Sequence, residues 1–296
     1  MTPRLSTLRQ ARLRQETRAR FFLRAGLRKG LPARRANPAP RVSFGTVEDG
    51  VLRVDHLAGF FSTCSVTLFE LMRSHGAIQR IDTSRSLSLY RENRDGCIWD
   101  LFFDPPVTPL PTPDPSGDHQ GLPSCHHRRY DTLDLGAFRP WVDTYFRPNE
   151  AVREARSRLV AKYGIDPDRT VAVWVRGTDK AIEVRPTPVR VYVRAVRRAI
   201  ASGEVDRVLV QTDQEQVRRT LMRRFGTAAF TIDELPVTGD RTGLHSQQLP
   251  GREEHARDLL AAVLLMSRCR RLVLHTGNGA FWTVLFRGGC DGVLQL

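Results

Sequence analysis

The chain has 296 residues, 41% of them hydrophobic, which is enough to bury one large core or two modest ones, and the length favours two domains. No run of eighteen apolar residues occurs and no secretory signal is evident, so we expect a cytoplasmic protein without a membrane-spanning helix. The five cysteines are scattered and form no Cys-x-x-Cys pair, which favours reduced thiols over disulfides or structural zinc.

The formal net charge of +14 is concentrated near the N-terminus. Residues 1–35 contain ten arginines and Lys29 against one acidic residue, Glu16, and carry +10. Apolar side chains between these arginines are compatible with a basic helix that contacts an anionic membrane surface. A flexible extension, or a helix packed on its own domain, fits the same pattern. We therefore expect a basic extension over residues 1–40.

Residues 41–150 show a mixed pattern that predicts an α/β domain. Strands are predicted at Val51–Val54, Ala77–Ile81 and Ile98–Phe103, with a helix that begins near Ser65.

The proline-rich segment 104–124 predicts a long exposed loop that can border a cleft. Cys125, His126 and His127 follow it and could ligate a metal, but no fourth ligand stands at a recognisable spacing. An ordinary polar loop is therefore favoured over a metal site.

Residues 151–296 alternate regularly between strand and helix patterns, which predicts a parallel sheet flanked by helices. The predicted strands are Val171–Val175, Arg207–Gln211, Ala229–Ile232, Arg271–His275 and Gly292–Leu296. The predicted helices lie near 188–202, 214–225, 253–267 and 280–287.

Polar residues follow four of these strands, where an open parallel sheet binds ligands. They are Arg176, Gly177, Thr178, Asp179 and Lys180; Thr212 and Asp213; Asp233 and Glu234; and Thr276, Gly277, Asn278 and Gly279. Together they predict a binding cleft at one edge of the sheet.

Two of these segments suit phosphate. Arg176 can hold a phosphate through two parallel hydrogen bonds. Thr276–Gly279 opens onto a predicted helix, whose amides and positive end suit a diphosphate. Alternatively, the glycines only permit tight turns and Arg176 pairs with Asp179. The usual glycine-rich fingerprints of triphosphate and dinucleotide sites are absent from the sequence.

The segment Trp174–Glu183 (WVRGTDKAIE) resembles the His-x-Arg-Gly-Thr-Asp-Lys-x-x-Glu segment of fucosyltransferase-like enzymes, the relatives of nodulation-factor, α-1,6- and O-fucosyltransferases. Val208–Asp213 is similar to their strand ending in Ala-Thr-Asp, and residues 253–278 resemble their last helix, strand and loop. Gly59–Ser65 resembles a segment in the first domain of bacterial members. The resemblance covers residues 170–290 well and the first half thinly.

This resemblance implies a GT-B-like fold of two Rossmann-like domains with a cleft between them. Residues 41–150 would form the acceptor-side domain and residues 151–296 the nucleotide-sugar-binding domain. The implied reaction is an inverting, metal-independent transfer from GDP-fucose, or another nucleotide sugar, to a glycan acceptor, without a cofactor.

By matching position, the resemblance also assigns roles. Arg176 would hold the diphosphate, Asp179 would brace its loop and Asp213 would line the donor site. Glu183 would be the general base, and Lys180 could help the diphosphate to leave.

Three positions depart from the family pattern. Trp174 stands where the family has histidine, Ala262 where it often has aspartate, and Gly277 where a serine precedes the asparagine. Tryptophan accepts no hydrogen bond, so a contact to the acceptor nitrogen of that histidine is lost. Candidate substitutes are Asp258, His245 and His275.

Three functions are therefore open. The leading one is a glycosyltransferase at the cytoplasmic side of a membrane, attracted to anionic lipid by its basic N-terminus. The second is an inactive member that still binds a nucleotide or glycan. The third, a nucleic-acid-binding protein that uses the arginine-rich arm, lacks supporting motifs.

Overall fold

The computed structural model describes residues 43–74, 77–92, 96–111, 122–176, 187–239 and 251–296. Within it, Phe44–Leu296 form one compact unit. The expected basic helix and residues 112–121 of the proline-rich segment lie outside the described residues. The domain boundary near residue 150 stays a prediction. No helix in the described part of the chain is both long and apolar enough to cross a bilayer.

The first half contains a small three-stranded sheet. Strand β1 (Gly45–Glu48) pairs antiparallel with β2 (Val51–Val54), and β2 pairs parallel with β3 (Arg80–Asp82). Helix α1 (Phe60–Arg73) connects β2 to β3. The predicted strand Val51–Val54 is confirmed, whereas the predicted helix begins five residues before Ser65.

The predicted strand Ile98–Phe103 is wrong. Trp99–Leu101 form a 3-10 turn, and Phe103 makes only an isolated bridge to Pro148. The rings of Trp99 and Phe103 lie 4.6 Å apart, and Phe103 also packs against Phe146. A helical turn brings residues four apart onto one face, so packing of these aromatic rings overrides the β propensity of the segment.

Two helices that the sequence patterns do not predict follow the proline-rich loop. They are α2 (Leu135–Tyr145) and α3 (Glu150–Tyr163). The carboxylate of Asp134 accepts a hydrogen bond from the Ala137 N–H, and the Asn149 side chain accepts one from the Val152 N–H. Both helices therefore begin at side chains that satisfy otherwise unpaired amides.

The second half forms a parallel five-stranded sheet flanked by helices, as predicted. The sheet order is β6-β5-β4-β7-β8, with strands β4 (Thr170–Val175), β5 (Arg207–Thr212), β6 (Ala229–Phe230), β7 (Arg271–Leu274) and β8 (Val293–Gln295). The helices are α4 (Val189–Ala201), α5 (Glu215–Phe225), α6 (Arg252–Met266) and α7 (Asn278–Arg287).

The two faces of this sheet carry different layers. All six residues of β4 are buried, as in a central strand covered on both sides. Val171, Val173 and Val175 pack with residues of α4 and α5. Ala172 and Trp174 belong to a core that also contains α6, α7 and the first half of the chain. Because side chains alternate along a strand, β4 joins both cores.

Candidate functional site

The sheet order places a topological switch point between β4 and β7. The chain leaves β4 for β5 and β6 on one side, and then crosses to β7 and β8 on the other. In open α/β sheets, ligands bind in the crevice outside the carboxyl ends of the strands at such a point. The loops that begin at Arg176 and His275 therefore border the candidate site.

Arg176 and Asp213 form an ion pair across the ends of β4 and β5. The Nε of Arg176 lies 3.6 Å from Oδ2 of Asp213, and the side chains are 27% and 13% exposed. The backbone of Asp213 is fixed in turn, because its carbonyl accepts a hydrogen bond of 2.9 Å from the Thr238 N–H. The Thr212 hydroxyl accepts one of 3.2 Å from the Gln214 N–H. The structure thus holds a partly exposed guanidinium at the switch point.

Other residues of the predicted site lie outside the described residues. They are Gly177, Thr178, Asp179, Lys180, Glu183 and His245. Their assigned roles stay predictions.

The loop Thr276–Gly279 is held by other parts of the chain. The buried Tyr130 hydroxyl accepts a hydrogen bond of 3.1 Å from the Gly277 N–H and lies 3.1 Å from the Gly277 carbonyl, to which it donates. The amide Nε2 of Gln295 donates to the Thr276 hydroxyl at 3.0 Å. The Gly277 N–H, which the sequence assigns to a diphosphate, is therefore already engaged.

Asn278, the first residue of α7, joins this helix to α1. Its Oδ1 accepts a hydrogen bond of 2.8 Å from the Ser65 hydroxyl, which also accepts one of 2.9 Å from the indole N–H of Trp282. The polar groups at the start of α7 thus connect the five-stranded sheet to the first half of the chain.

Trp174 lies against the first turn of α7 and is only 7% exposed. A Cβ atom added to Gly279 would overlap the indole Cη2 and lie 3.0 Å from Cζ2. His275 stands edge-on to the same indole with ring centroids 5.4 Å apart, and its Nδ1 lies 3.3 Å from the Trp174 carbonyl oxygen. Trp174 and His275 therefore meet beneath the switch-point loops, and the indole requires glycine at position 279.

Asp258 lies on α6 and faces α3. Its Oδ1 is 4.0 Å from the Arg158 guanidinium, and the residue is 8% exposed. Burial raises the pKa of Asp258, and the negative charge of Glu254 acts in the same direction. The structure therefore pairs Asp258 with α3 and shows no contact of its carboxylate with Arg176 or Asp213 among the described residues.

The first half contributes a histidine that the sequence patterns do not single out. His56 follows β2, and its Nε2 lies 2.9 Å from the Ser62 hydroxyl in the first turn of α1. Burial lowers the pKa of His56 to about 4, so the ring is neutral at neutral pH. Ser62 and Ser65 are one turn apart, so His56 lies near the face of α1 that reaches Asn278. In the sequence, this part of the site was indicated only by the resemblance of Gly59–Ser65 to a first-domain segment of bacterial fucosyltransferase-like enzymes.

No group of three or more potential metal ligands occurs among the described residues. The rings of His126 and His127 are 3.9 Å apart within a 3-10 helix, and burial raises the pKa of the neighbouring Cys125 thiol.

No protein-family model and no curated protein matches the chain. Solved structures similar to it include NodZ alpha-1,6-fucosyltransferase soaked with GDP-fucose, at 16% identity and a TM-score of 0.49, with 80% of this chain and 91% of that chain covered. Fucosyltransferase NodZ from Bradyrhizobium is similar at 15% identity and a TM-score of 0.47, with 79% and 91% covered. NodZ co-crystallized with GDP matches at 16% identity and a TM-score of 0.37, with 52% and 46% covered.

The contact between Trp174 and Gly279 yields a stability prediction. Gly279→Ala should lower the free energy of unfolding by about 1–3 kcal/mol, because the added methyl group overlaps a buried ring. In a Trp174→Phe background the same change should cost at least about 1 kcal/mol less, since the smaller ring leaves room. Urea denaturation of the four proteins measures both values.

Gly289→Ala is the matched control, because a Cβ at Gly289 meets no atom within 4 Å. It should change the stability by less than about 0.5 kcal/mol. Equal costs for Gly279→Ala in the two backgrounds would contradict the assigned contact.

The hydrogen bonds of Tyr130 yield a second prediction. Tyr130→Phe should destabilise the protein by about 1–3 kcal/mol, because it leaves the buried Gly277 N–H without its acceptor. Chemical denaturation gives the value. A variant as stable as the wild type would show that these bonds do not hold the loop.

Proposed function

We propose that the chain is a fucosyltransferase-like glycosyltransferase that transfers a sugar from a GDP-sugar to a glycan acceptor. The observation that carries the proposal is the partly exposed Arg176 guanidinium, paired with Asp213 at the switch point and placed in the Arg-Gly-Thr-Asp-Lys motif. A planar guanidinium matches a phosphate in bidentate fashion, and Asp213 restricts its orientation. The nucleotide diphosphate of a sugar donor is therefore the ligand class that we assign to this site.

The proposed reaction is a single displacement with inversion and without a metal. Glu183 takes the proton of the acceptor hydroxyl, whose oxygen attacks the anomeric carbon opposite the leaving diphosphate. The bond from that carbon to the phosphate oxygen breaks, and Arg176 and Lys180 stabilise the released charge. Gly177, Thr178 and Asp179 shape the intervening loop. We place the reaction in the cytoplasm, at the inner face of the membrane.

The alternative is a member that binds nucleotide without turnover. Two observations favour it. The Trp174 indole occupies the space beside α7, and Tyr130 engages the Gly277 N–H. Both reduce the room and the donors that the start of α7 can offer to a leaving diphosphate, which would lower turnover while Arg176 still binds the nucleotide. Release of GDP from a panel of GDP-sugars distinguishes the two, since binding without release excludes the enzyme.

Arg176→Ala tests the donor site. Thermal stabilisation of the wild type should be largest with GDP in a screen of GDP, UDP and TDP, because ligands that bind the folded state raise its melting temperature. Arg176→Ala should abolish that stabilisation.

Arg169→Ala is the matched control, because Arg169 pairs with Asp206 just before β4 and β5, whereas Arg176 pairs with Asp213 just after the same strands. This control removes a paired arginine at the amino ends of the same two strands. It should leave the thermal stabilisation by GDP intact. Undiminished stabilisation of Arg176→Ala by GDP would show that the site assignment is wrong.

Glu183→Gln tests the proposed base. It should lower kcat by about 10²–10⁴-fold with little change in GDP-sugar affinity, because the amide keeps the shape but cannot take the proton. Steady-state kinetics together with a direct binding measurement separate the two effects. Equal losses of kcat and of donor affinity would argue for a binding role instead.

A further inference from the structure

The outer side of α4 and α5 carries an unusual group of charges. Helix α4 contains four arginines and no acidic residue, and α5 contains four arginines and only Glu215, so the two helices carry +7. Residues 1–35 carry +10 of the total of +14, which leaves the rest of the chain outside these two helices at −3. Outside residues 1–35, the net positive charge of the chain is thus confined to these two helices.

Six of these arginines, which we call the arginine face, are exposed and have no carboxylate partner among the described residues. They are Arg190, Arg194, Arg197 and Arg198 on α4, and Arg223 and Arg224 on α5. Glu215 pairs instead with Arg218 and Arg219.

Several arginines elsewhere on the surface have acidic partners. Arg153 pairs with Glu150 and with Asp104, and Arg139 pairs with Asp143. Glu204 pairs with both Arg270 and Arg271. The abundance of arginine in this chain therefore does not explain the arginine face, because other helices combine arginine with acids.

Repulsion within α4 makes the arrangement costly for an isolated protein. Arg190 and Arg194 are four residues apart, as are Arg194 and Arg198, and Arg197 is three residues from Arg194. Like charges at these spacings destabilise a helix by a few tenths of a kcal/mol per pair, on the order of 0.2–0.5. An anionic partner would remove this repulsion.

The arginine face lies on an open layer. The apolar residues of α4 and α5, among them Tyr192, Val196 and Leu221, pack on one face of the sheet. The first half of the chain belongs to the core on the other face. Helices α4 and α5 also contact each other, so their arginines share one outward surface.

We infer that the arginine face binds the surface of an anionic phospholipid bilayer. Two adjacent helices on a sheet present a broad surface, and arginines near an anionic leaflet are attracted to its headgroups. Val193 and Ile200 on α4 are half-buried against the core and border the arginines, and a helix that lies on a lipid surface combines basic and aliphatic side chains in this way. The exposed residues of α4 and α5 include no aromatic ring on which an unpaired base could stack, which favours lipid over single-stranded nucleic acid.

The full-length variant Arg190→Gln/Arg194→Gln/Arg197→Gln/Arg198→Gln tests this inference. Glutamine has a helix propensity close to that of arginine, so α4 should persist. Partitioning is measured onto vesicles of phosphatidylglycerol and phosphatidylcholine in equal parts, and onto phosphatidylcholine alone. Since each basic residue near an anionic surface strengthens binding roughly fivefold, the loss of four should weaken partitioning onto the anionic vesicles by at least about tenfold. Higher salt should weaken wild-type binding as well.

The matched control is Arg85→Gln/Arg128→Gln/Arg156→Gln/Arg268→Gln, which removes the same charge from scattered positions outside α4 and α5. It should retain partitioning within about threefold of the wild type, because screening confines each charge to its own part of the surface. An equal loss in both variants, or wild-type partitioning by the α4 variant, would overturn the inference. Weaker binding of the α4 variant to duplex DNA but not to vesicles would overturn it in favour of nucleic acid.

Stabilisation by GDP gives an independent readout on the same proteins. The α4 variant should keep the wild-type response, since the arginine face is separate from Arg176. Failure of membrane binding and failure of the proposed donor site are thus distinguishable.

Discussion

The start of α7 is the point on which the rest of the described structure depends. Gly279 lets the Trp174 indole, at the end of β4, lie against the helix that follows β7, the strand that pairs with β4. Tyr130 satisfies the Gly277 backbone, and Ser65 binds Asn278. A buried polar group without a hydrogen-bond partner lowers the free energy of unfolding. Here the partners come from distant parts of the chain. One helix terminus therefore fixes both the switch point and its connection to the first half.

With the Gly277 N–H engaged, the cation that we assign to an anionic ligand lies at the end of β4. A helix N-terminus attracts anions through its amides, but at α7 the Gly277 N–H already has an acceptor. Arg176 instead stays partly exposed beside a carboxylate whose backbone is fixed by Thr238. A side-chain cation supported in this way can bind a diphosphate without donors from α7, which is why the functional proposal depends on Arg176.

The sheet also separates two kinds of surface. On the face that meets the first half, α6 buries Glu253 and Asp258, and Arg153, one of three arginines in α3, pairs with Glu150. On the opposite face, α4 bears arginines alone. Because the central strands have apolar side chains on both sides, each layer can differ in outward charge without affecting the core. The proposed donor site at the edge and the proposed membrane-facing layer are therefore compatible within one sheet of this kind.

The sequence by itself determined the parallel sheet. Strands such as Val171–Val175 are continuous apolar runs between amphipathic helices, and this pattern is local, so it does not depend on tertiary contacts. It also predicted that Arg176 and Asp213 lie at one edge of the sheet, because parallel strands have their carboxyl ends at the same edge. Only the tertiary structure decided that Trp99 and Phe103 form a turn, that Tyr130 engages Gly277, and that Trp174 requires Gly279. These contacts join residues by shape and hydrogen bonding, mostly across large sequence separations, and no local pattern records which distant side chain will fill a given space.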